Sequence, residues 1–284
     1  MDATRRELMA ALSAAAVFPT LAAGMAAVAA PGTLEEANQT SLTAHEKLMG
    51  VPGLNMMGAE QIAMLLYPGF TALDYVGPYY FFASLMGATV HLVTTERDLT
   101  PVRSDLGLAI TPTITMANAP KDLDVLFVPG GSVGTINAME NARVVGFVAE
   151  SGARAKYATS VCTGSLILAV AGLLKGKRAT SHWATRPYLS AFGATPVDAR
   201  VVADGKIVTG AGVSAGLDFA INLVGQLRSP RYAQALMLMG EYAPEPPFKG
   251  GTVATTEPQI AEPTREMFAP VTWRIEQIAK NWKA

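Results

Sequence analysis

The stretch Tyr157-Ala158-Thr159-Ser160-Val161-Cys162-Thr163-Gly164-Ser165-Leu166-Ile167-Leu168 decides how this chain is organised, and it contains the protein's only cysteine. A short β-branched strand runs into an apolar helix, with Cys162 at the corner and the small residues Thr163, Gly164 and Ser165 directly after it. That is the layout of a nucleophile elbow. Such a corner projects its side chain out of the sheet and over the first unpaired N–H groups of the helix, whose dipole favours a thiolate over a thiol. The expectation is a reactive Cys162 with a lowered pKa; the alternative is a cysteine buried as a small hydrophobe.

Outward from the corner, strands and helices alternate. Gln61 to Tyr67 is a continuous apolar run suited to a strand covered on both faces, ended by Pro68-Gly69. Phe70 to Gly87 reads as a helix stopped by Gly87, Thr89 to Thr94 as a strand, and Val125 to Val128 as another that ends at Pro129-Gly130-Gly131. Val144 to Ala153 reads as a helix, and the elbow helix is expected to reach Leu174. Arg178 to Trp183 reads as a short strand, and Asp204-Gly205 as the turn of a hairpin between Val197 to Ala203 and Lys206 to Thr209. Ser214 is placed to cap a helix from Ala215 to Leu227, and a further helix spans Tyr232 to Tyr242. This alternation implies an α/β fold, a parallel sheet sandwiched by helices, whose sites form at the carboxyl ends of the strands. The loops Pro68 to Asp74, Pro129 to Gly134 and the Cys162 elbow then meet on one edge.

Composition narrows the class. Half of the 284 residues are hydrophobic and 16% are charged, below the usual quarter or so, which describes a compact globular chain. With 22 basic residues against 23 acidic there is no basic excess for nucleic acid. One cysteine excludes an internal disulfide and a thiolate-rich zinc site. Residues 1–30 look like a twin-arginine signal: Arg5-Arg6 opens a run with no charge from Leu8 to Leu34, and Ala27-Val28-Ala29 offers a cleavage site. The expectation is export of the folded protein to the periplasm, with membrane contact only in transit; an uncleaved membrane anchor or a cytoplasmic protein is the alternative. Residues 31–59 read as a linker or arm, 60–248 as the globular domain, and 249–284 as a tail with one helix, Arg265 to Trp282. His45, Met49, Met56 and Met57 lack the spacing of a soft-metal site, and no metal or cofactor is expected.

Four further residues carry candidate chemistry. Asp74 sits among Phe70, Leu73, Tyr75 and Val76, where desolvation raises a carboxyl pKa and suits it to general acid work; capping the helix is the alternative. Gly130 and Gly131 can offer backbone N–H groups to developing negative charge, or merely form a tight turn. His182, at the end of its predicted strand, either approaches the sulfur or bonds to a loop. Gly210-Ala211-Gly212-Val213-Ser214-Ala215 matches a dinucleotide fingerprint in form, but no acidic residue ends a following strand, so it reads as close strand-helix packing.

Several motifs in order resemble the ThiJ/PfpI superfamily: Asp122-Leu123-Asp124-Val125 through Gly131, Ser160-Val161-Cys162-Thr163-Gly164-Ser165, and Ala171-Gly172-Leu173-Leu174-Lys175-Gly176-Lys177-Arg178-Ala179-Thr180-Ser181-His182-Trp183. Leu73-Asp74-Tyr75-Val76-Gly77-Pro78 and Glu241-Tyr242-Ala243-Pro244-Glu245-Pro246-Pro247-Phe248 are similar to its isocyanide hydratase branch. The resemblance implies a flavodoxin-like homodimer that acts on an isocyanide without a cofactor. Cys162 is then the nucleophile, Asp74 handles protons and positions water, and Thr163 holds the site. Thr163 stands where the protease-like branch has histidine, which argues against peptidase chemistry. The same elbow and Ala179-Thr180-Ser181-His182-Trp183 patterns also resemble the sensor domain of AraC-type regulators, although no basic recognition helix follows Tyr242. A non-catalytic periplasmic sensor or binding protein, or a glyoxalase- or deglycase-type cysteine enzyme, are the alternatives.

Overall fold

A computed structural model describes residues 32–282; the twin-arginine-type segment lies outside the described residues. The chain divides after Lys47 into two compact units. Helix α1 (Leu34–Met49) opens on a reciprocal cap, in which Thr33 Oγ1 accepts from the Glu36 N–H at 3.2 Å and the Glu36 carboxylate accepts from the Thr33 N–H at 3.0 Å. The segment expected as a linker therefore begins as a helix, and its signal was the Thr-x-x-Glu box.

From Leu48 onward the chain builds the sheet. The order of elements is β1 (Gln61–Leu66), α2 (Ala72–Ala83), β2 (Thr89–Thr94), three short strands β3 (Val102–Arg103), β4 (Ala109–Ile110) and β5 (Ile114–Thr115), β6 (Val125–Val128), α3 (Ser132–Glu140), α4 (Ala142–Arg154), β7 (Tyr157–Val161) and α5 (Gly164–Val170). There follow β8 (Arg178–Ala179), a 3-10 helix (Arg186–Phe192), β9 (Thr195–Pro196), β10 (Val201–Asp204), β11 (Ile207–Gly210), α6 (Ala215–Leu227) and α7 (Pro230–Met239). Among the described residues the main sheet has seven strands in the order β10-β11-β7-β6-β1-β2-β5, parallel throughout except for the β10-β11 hairpin.

Burial follows from this layering. Ile62 to Leu66 of β1 and Val125 to Val128 of β6 are fully buried, because helices cover both faces. Helices α2, α6 and α7 pack on one face, and α3, α4 and α5 on the other. Phe127 of β6 stacks with Phe219 of α6 at 5.7 Å between centroids, and Phe82 of α2 meets both edge-on. Between β1 and β6 the chain reverses its direction of travel across the sheet, since β2 lies on one side of β1 and β6 on the other. A crevice opens at such a point beyond the carboxyl ends of the strands.

Several boundaries differ from the sequence reading. The elbow helix stops at Val170, where Gly172 takes φ 78° and the Leu173 N–H turns back to the Leu168 carbonyl at 3.0 Å. The strand expected from Arg178 to Trp183 ends at Ala179, because the Thr180 N–H bonds the Thr209 hydroxyl instead of a ladder carbonyl. Ser214 occupies the cap position of α6 without a side-chain bond, whereas Ser229 does cap α7 through the Tyr232 N–H. Helix α3 was not read at all. The tail holds two helices, α8 (Pro258–Glu266) and α9 (Ala269–Asn281), separated at Met267 and Phe268, with Pro270 in the first turn of α9, where its missing N–H is no loss.

Residues 54–60 are strapped to the domain by Arg228, whose side chain is 3% exposed. Its guanidinium pairs with Glu60 through two bonds of 2.5 Å and donates to the carbonyls of Met56 and Met86, each at 2.9 Å. Arg228→Met leaves Glu60 and these carbonyls without their donor. Urea unfolding of that variant is expected to show a loss of about 3–5 kcal/mol.

Candidate active site

Cys162 joins β7 to α5 with φ 55°, in the left-handed region that costs a side-chain-bearing residue about 1–2 kcal/mol. Hydrogen bonds hold it there. Its N–H is shared between the carbonyls of Gly210 at 3.1 Å and Ala211 at 2.7 Å, and its own carbonyl accepts from Ser165 Oγ at 3.1 Å and Ser181 Oγ at 3.0 Å. Gly164 lets α5 start against the end of β6: a Cβ there would lie 2.3 Å from the Val128 carbonyl oxygen. Gly210 is equally confined, with Val161 Cγ1 at 2.7 Å from its missing Cβ, so that motif is strand-helix packing.

The thiol is not lowered as the elbow reading expected. Cys162 is 5% exposed, and burial first, then the Asp74 carboxylate, push its pKa well above the ordinary value. The Thr163 N–H and hydroxyl, beside the sulfur, act in the opposite direction. Desolvation outweighs the dipole of so short a helix, and at neutral pH the group is a thiol.

Asp74, third residue of α2, is fully buried and does not cap its helix. Its Oδ2 accepts from the Gly130 N–H at 2.9 Å, while Oδ1 has no hydrogen-bond partner. Burial raises its pKa from 3.8 to about 7, against the lowering effects of Cys162 and the Gly130 amide. Gly130 is the hinge of this contact: a Cβ on it would meet Asp74 Oδ2 at 2.5 Å and Cys162 Cβ at 2.7 Å. The two glycines do not present an oxyanion hole, because the Gly130 N–H is taken by Asp74 and the Gly131 N–H by Thr163 Oγ1 at 2.9 Å. Both amides position side chains of the site instead.

Thr163 anchors a buried chain of hydroxyls that the sequence reading missed. Its Oγ1 lies 2.8 Å from Thr135 Oγ1, which lies 3.1 Å from the Tyr67 hydroxyl, and Tyr67 donates to the Pro129 carbonyl at 2.8 Å. A tyrosine directly after a buried apolar strand was the available signal, since its hydroxyl must find a partner inside.

His182 is not brought to the sulfur by any hydrogen bond. Its Nδ1 accepts from the Ala184 N–H at 3.3 Å, and its ring stacks with Trp183 and with Phe268 of the tail, at 5.4 and 5.0 Å between centroids. Burial and Arg186 push its pKa down to about 4, leaving a neutral ring. The early end of β8 explains the difference: Ser181 turns its hydroxyl to the elbow and the histidine points into the aromatic cluster.

The chain that carries this buried cysteine and carboxyl is similar to known proteins. The DJ-1/PfpI family model matches residues 60–226. The chain belongs to this family. It is 47% identical over 212 residues to an isonitrile hydratase of Pseudomonas putida, covering 75% of this chain and 91% of that protein. A crystal structure of a ThiJ/PfpI family protein from Pseudomonas syringae, 50% identical, superposes with a TM-score of 0.79 over 81% of this chain and 94% of the other. Drosophila melanogaster DJ-1beta, 20% identical, shares the fold with a TM-score of 0.59, over 66% of this chain and all of its own. The family's flavodoxin-like α/β architecture is the one observed.

The Asp74 pKa has a thermodynamic consequence. Between 3.8 and about 7 the unfolded chain has released this proton and the folded protein retains it. Its contribution to stability is therefore full below that window and is lost as pH rises through it. His182 acts with the opposite sign, its contribution being present above 6.5 and lost as pH falls towards about 4. Comparing urea unfolding of the wild type with Asp74→Asn isolates the first effect: the variant is expected to gain stability over the wild type progressively as pH rises through the Asp74 window.

Proposed function

We propose that the protein is an isocyanide hydratase, converting R–N≡C and water to the N-substituted formamide through Cys162 and Asp74. The observation that carries this reading is a buried thiol beside a buried carboxyl whose pKa is about 7 and whose Oδ1 is bare. Sulfur and hydrogen must add to the same carbon of an isocyanide. A thiol-carboxyl pair that handles one proton is suited to this. Asp74 takes the thiol proton as the sulfur electron pair forms the C–S bond, then delivers that proton to the same carbon, giving the thioimidate R–N=CH–S–Cys162. Water next adds across C=N: its oxygen bonds to carbon while Asp74 takes a water proton and passes it to nitrogen. Cleavage of the C–S bond, with a proton returned to sulfur, releases R–NH–CHO.

The engaged glycine amides favour this chemistry over attack on a carbonyl. An aldehyde or ester develops charge on oxygen and calls for free N–H donors, whereas the isocyanide carbon is quenched by a proton. The 47% identity to an isonitrile hydratase supports the same substrate class. A redox sensor is disfavoured, because such cysteines are exposed and ionised while Cys162 is neither.

The proposed setting is the periplasm, on the twin-arginine-type segment at residues 1–30. The proposed assembly is a homodimer. Leu73, Val76 and Tyr80 recur at helical spacing on α2, are exposed, and suit a second copy packed on that helix.

Purified protein incubated with a simple alkyl isocyanide is expected to yield the formamide, quantified by chromatography. Cys162→Ala abolishes turnover, and Asp74→Asn lowers kcat by about 10²-fold or more. An inactive wild type with Cys162 in the reduced form would overturn the reading.

A further inference from the structure

Three arginines from separate segments gather around a cleft that the chemistry at Cys162 does not use. Arg97 follows β2, Arg103 ends β3 and Arg143 stands in the first turn of α4. The cleft they line measures about 570 Å³, within the range of small-molecule sites, and it lies at the carboxyl end of β2, where sheets of this kind bind ligands. Its lining also includes Thr95 and Val102, both buried, whereas the three arginines are exposed.

The charge of these arginines is not spent within the protein. Among the described residues Arg154, Arg186, Arg200, Arg228 and Arg274 each form an ion pair, and Arg97, Arg103 and Arg143 form none. Two carboxylates share the cleft and are engaged elsewhere: Asp98 accepts from the Thr100 N–H at 2.9 Å, and Glu96 from the Thr95 hydroxyl at 3.4 Å. Three cations against two carboxylates leave a positive excess.

Arg143 is placed against local preference. A helix start disfavours a cation, and Asn141 already caps α4 by accepting from the Arg143 and Val144 N–H groups at 3.1 and 3.4 Å. A residue that breaks a local rule without serving the fold marks a site. An anion in the cleft is favoured by this guanidinium and by the other two.

We propose that the cleft binds a small molecule carrying two or more anionic oxygen groups, phosphate or carboxylate, held by Arg97, Arg103 and Arg143. A planar guanidinium fork pairs with either group through two parallel hydrogen bonds, and three forks around one cleft favour a ligand with more than one such group. Thr95 and Val102 supply a wall for its uncharged part. The site stands apart from the hydratase reading, since neither Cys162 nor Asp74 lines it. It does share a scaffold with that chemistry: Pro68 lines the cleft and opens the loop that leads to Asp74, and the Arg103 carbonyl accepts from the Gly69 N–H at 2.8 Å.

Isothermal titration of the full chain at low ionic strength, with pyrophosphate and separately with citrate, tests this. At least one is expected to bind at a single site with a Kd below ~1 mM, and to weaken as sodium chloride is added. Tighter pyrophosphate assigns a phosphorylated ligand, and tighter citrate a polycarboxylate. The double variant Arg103→Gln, Arg143→Gln is expected to lose about tenfold or more in affinity, while Arg265→Gln, an exposed arginine of α8 outside the cleft, retains the wild-type value. Circular dichroism checks that the variants fold; if the double variant does not, Arg143→Gln alone decides. Absence of saturable binding by both anions, unchanged affinity in the cleft variants, or an equal loss in Arg265→Gln overturns the proposal, the last because it would mean general attraction to surface cations.

Discussion

Desolvation of one carboxyl governs this molecule. Asp74 is carried into the interior by the first turn of α2, given a single amide by Gly130, and left with one bare oxygen beside the only thiol of the chain. In water its proton would be gone well below neutrality; here it is half retained at about pH 7. The same burial keeps Cys162 neutral, so in the proposed mechanism the pair would share acid, base and nucleophile work with little net charge to solvate. In that proposal a lowered thiol pKa, the usual route to a reactive cysteine, is replaced by a nearby base that would accept the proton during attack.

That arrangement depends on close backbone approaches. At the reversal between β1 and β6 the loops after three strands crowd into one crevice, and side chains at Gly130 and Gly164 would collide with the carboxylate or with backbone. The left-handed backbone at Cys162 adds local strain, offset by bonds from Ser165 and Ser181 to its carbonyl. Crowding also explains why the Gly130 and Gly131 amides serve the site's own side chains and are not aimed at a reacting oxygen.

Around this centre the family fold is conservative and its chemistry varied. The chain shares architecture with proteins as far removed as a fly DJ-1 and is 47% identical over 212 residues to a bacterial isonitrile hydratase. The aromatic packing of His182 against Phe268 shows how the tail takes part in the domain: a residue beyond the family match covers the strand end next to the elbow.

Local sequence was sufficient for the parallel α/β class, the corner at Cys162, the meeting of three loops on one edge, and the apolar setting of Asp74. These rest on periodicity, glycine placement and neighbouring residue types, which act over a few residues. What only the folded chain decided was the balance among long-range effects. The thiol pKa rose because burial exceeded a short helix dipole. The Gly130 and Gly131 amides were claimed by side chains 56 and 32 residues away in sequence. His182 left the sulfur because Thr180 bonded Thr209 and ended its strand. The Tyr67-Thr135-Thr163 chain joins three segments whose hydroxyls share no sequence pattern, and a hydrogen bond between residues so far apart exists only once packing has excluded water from both.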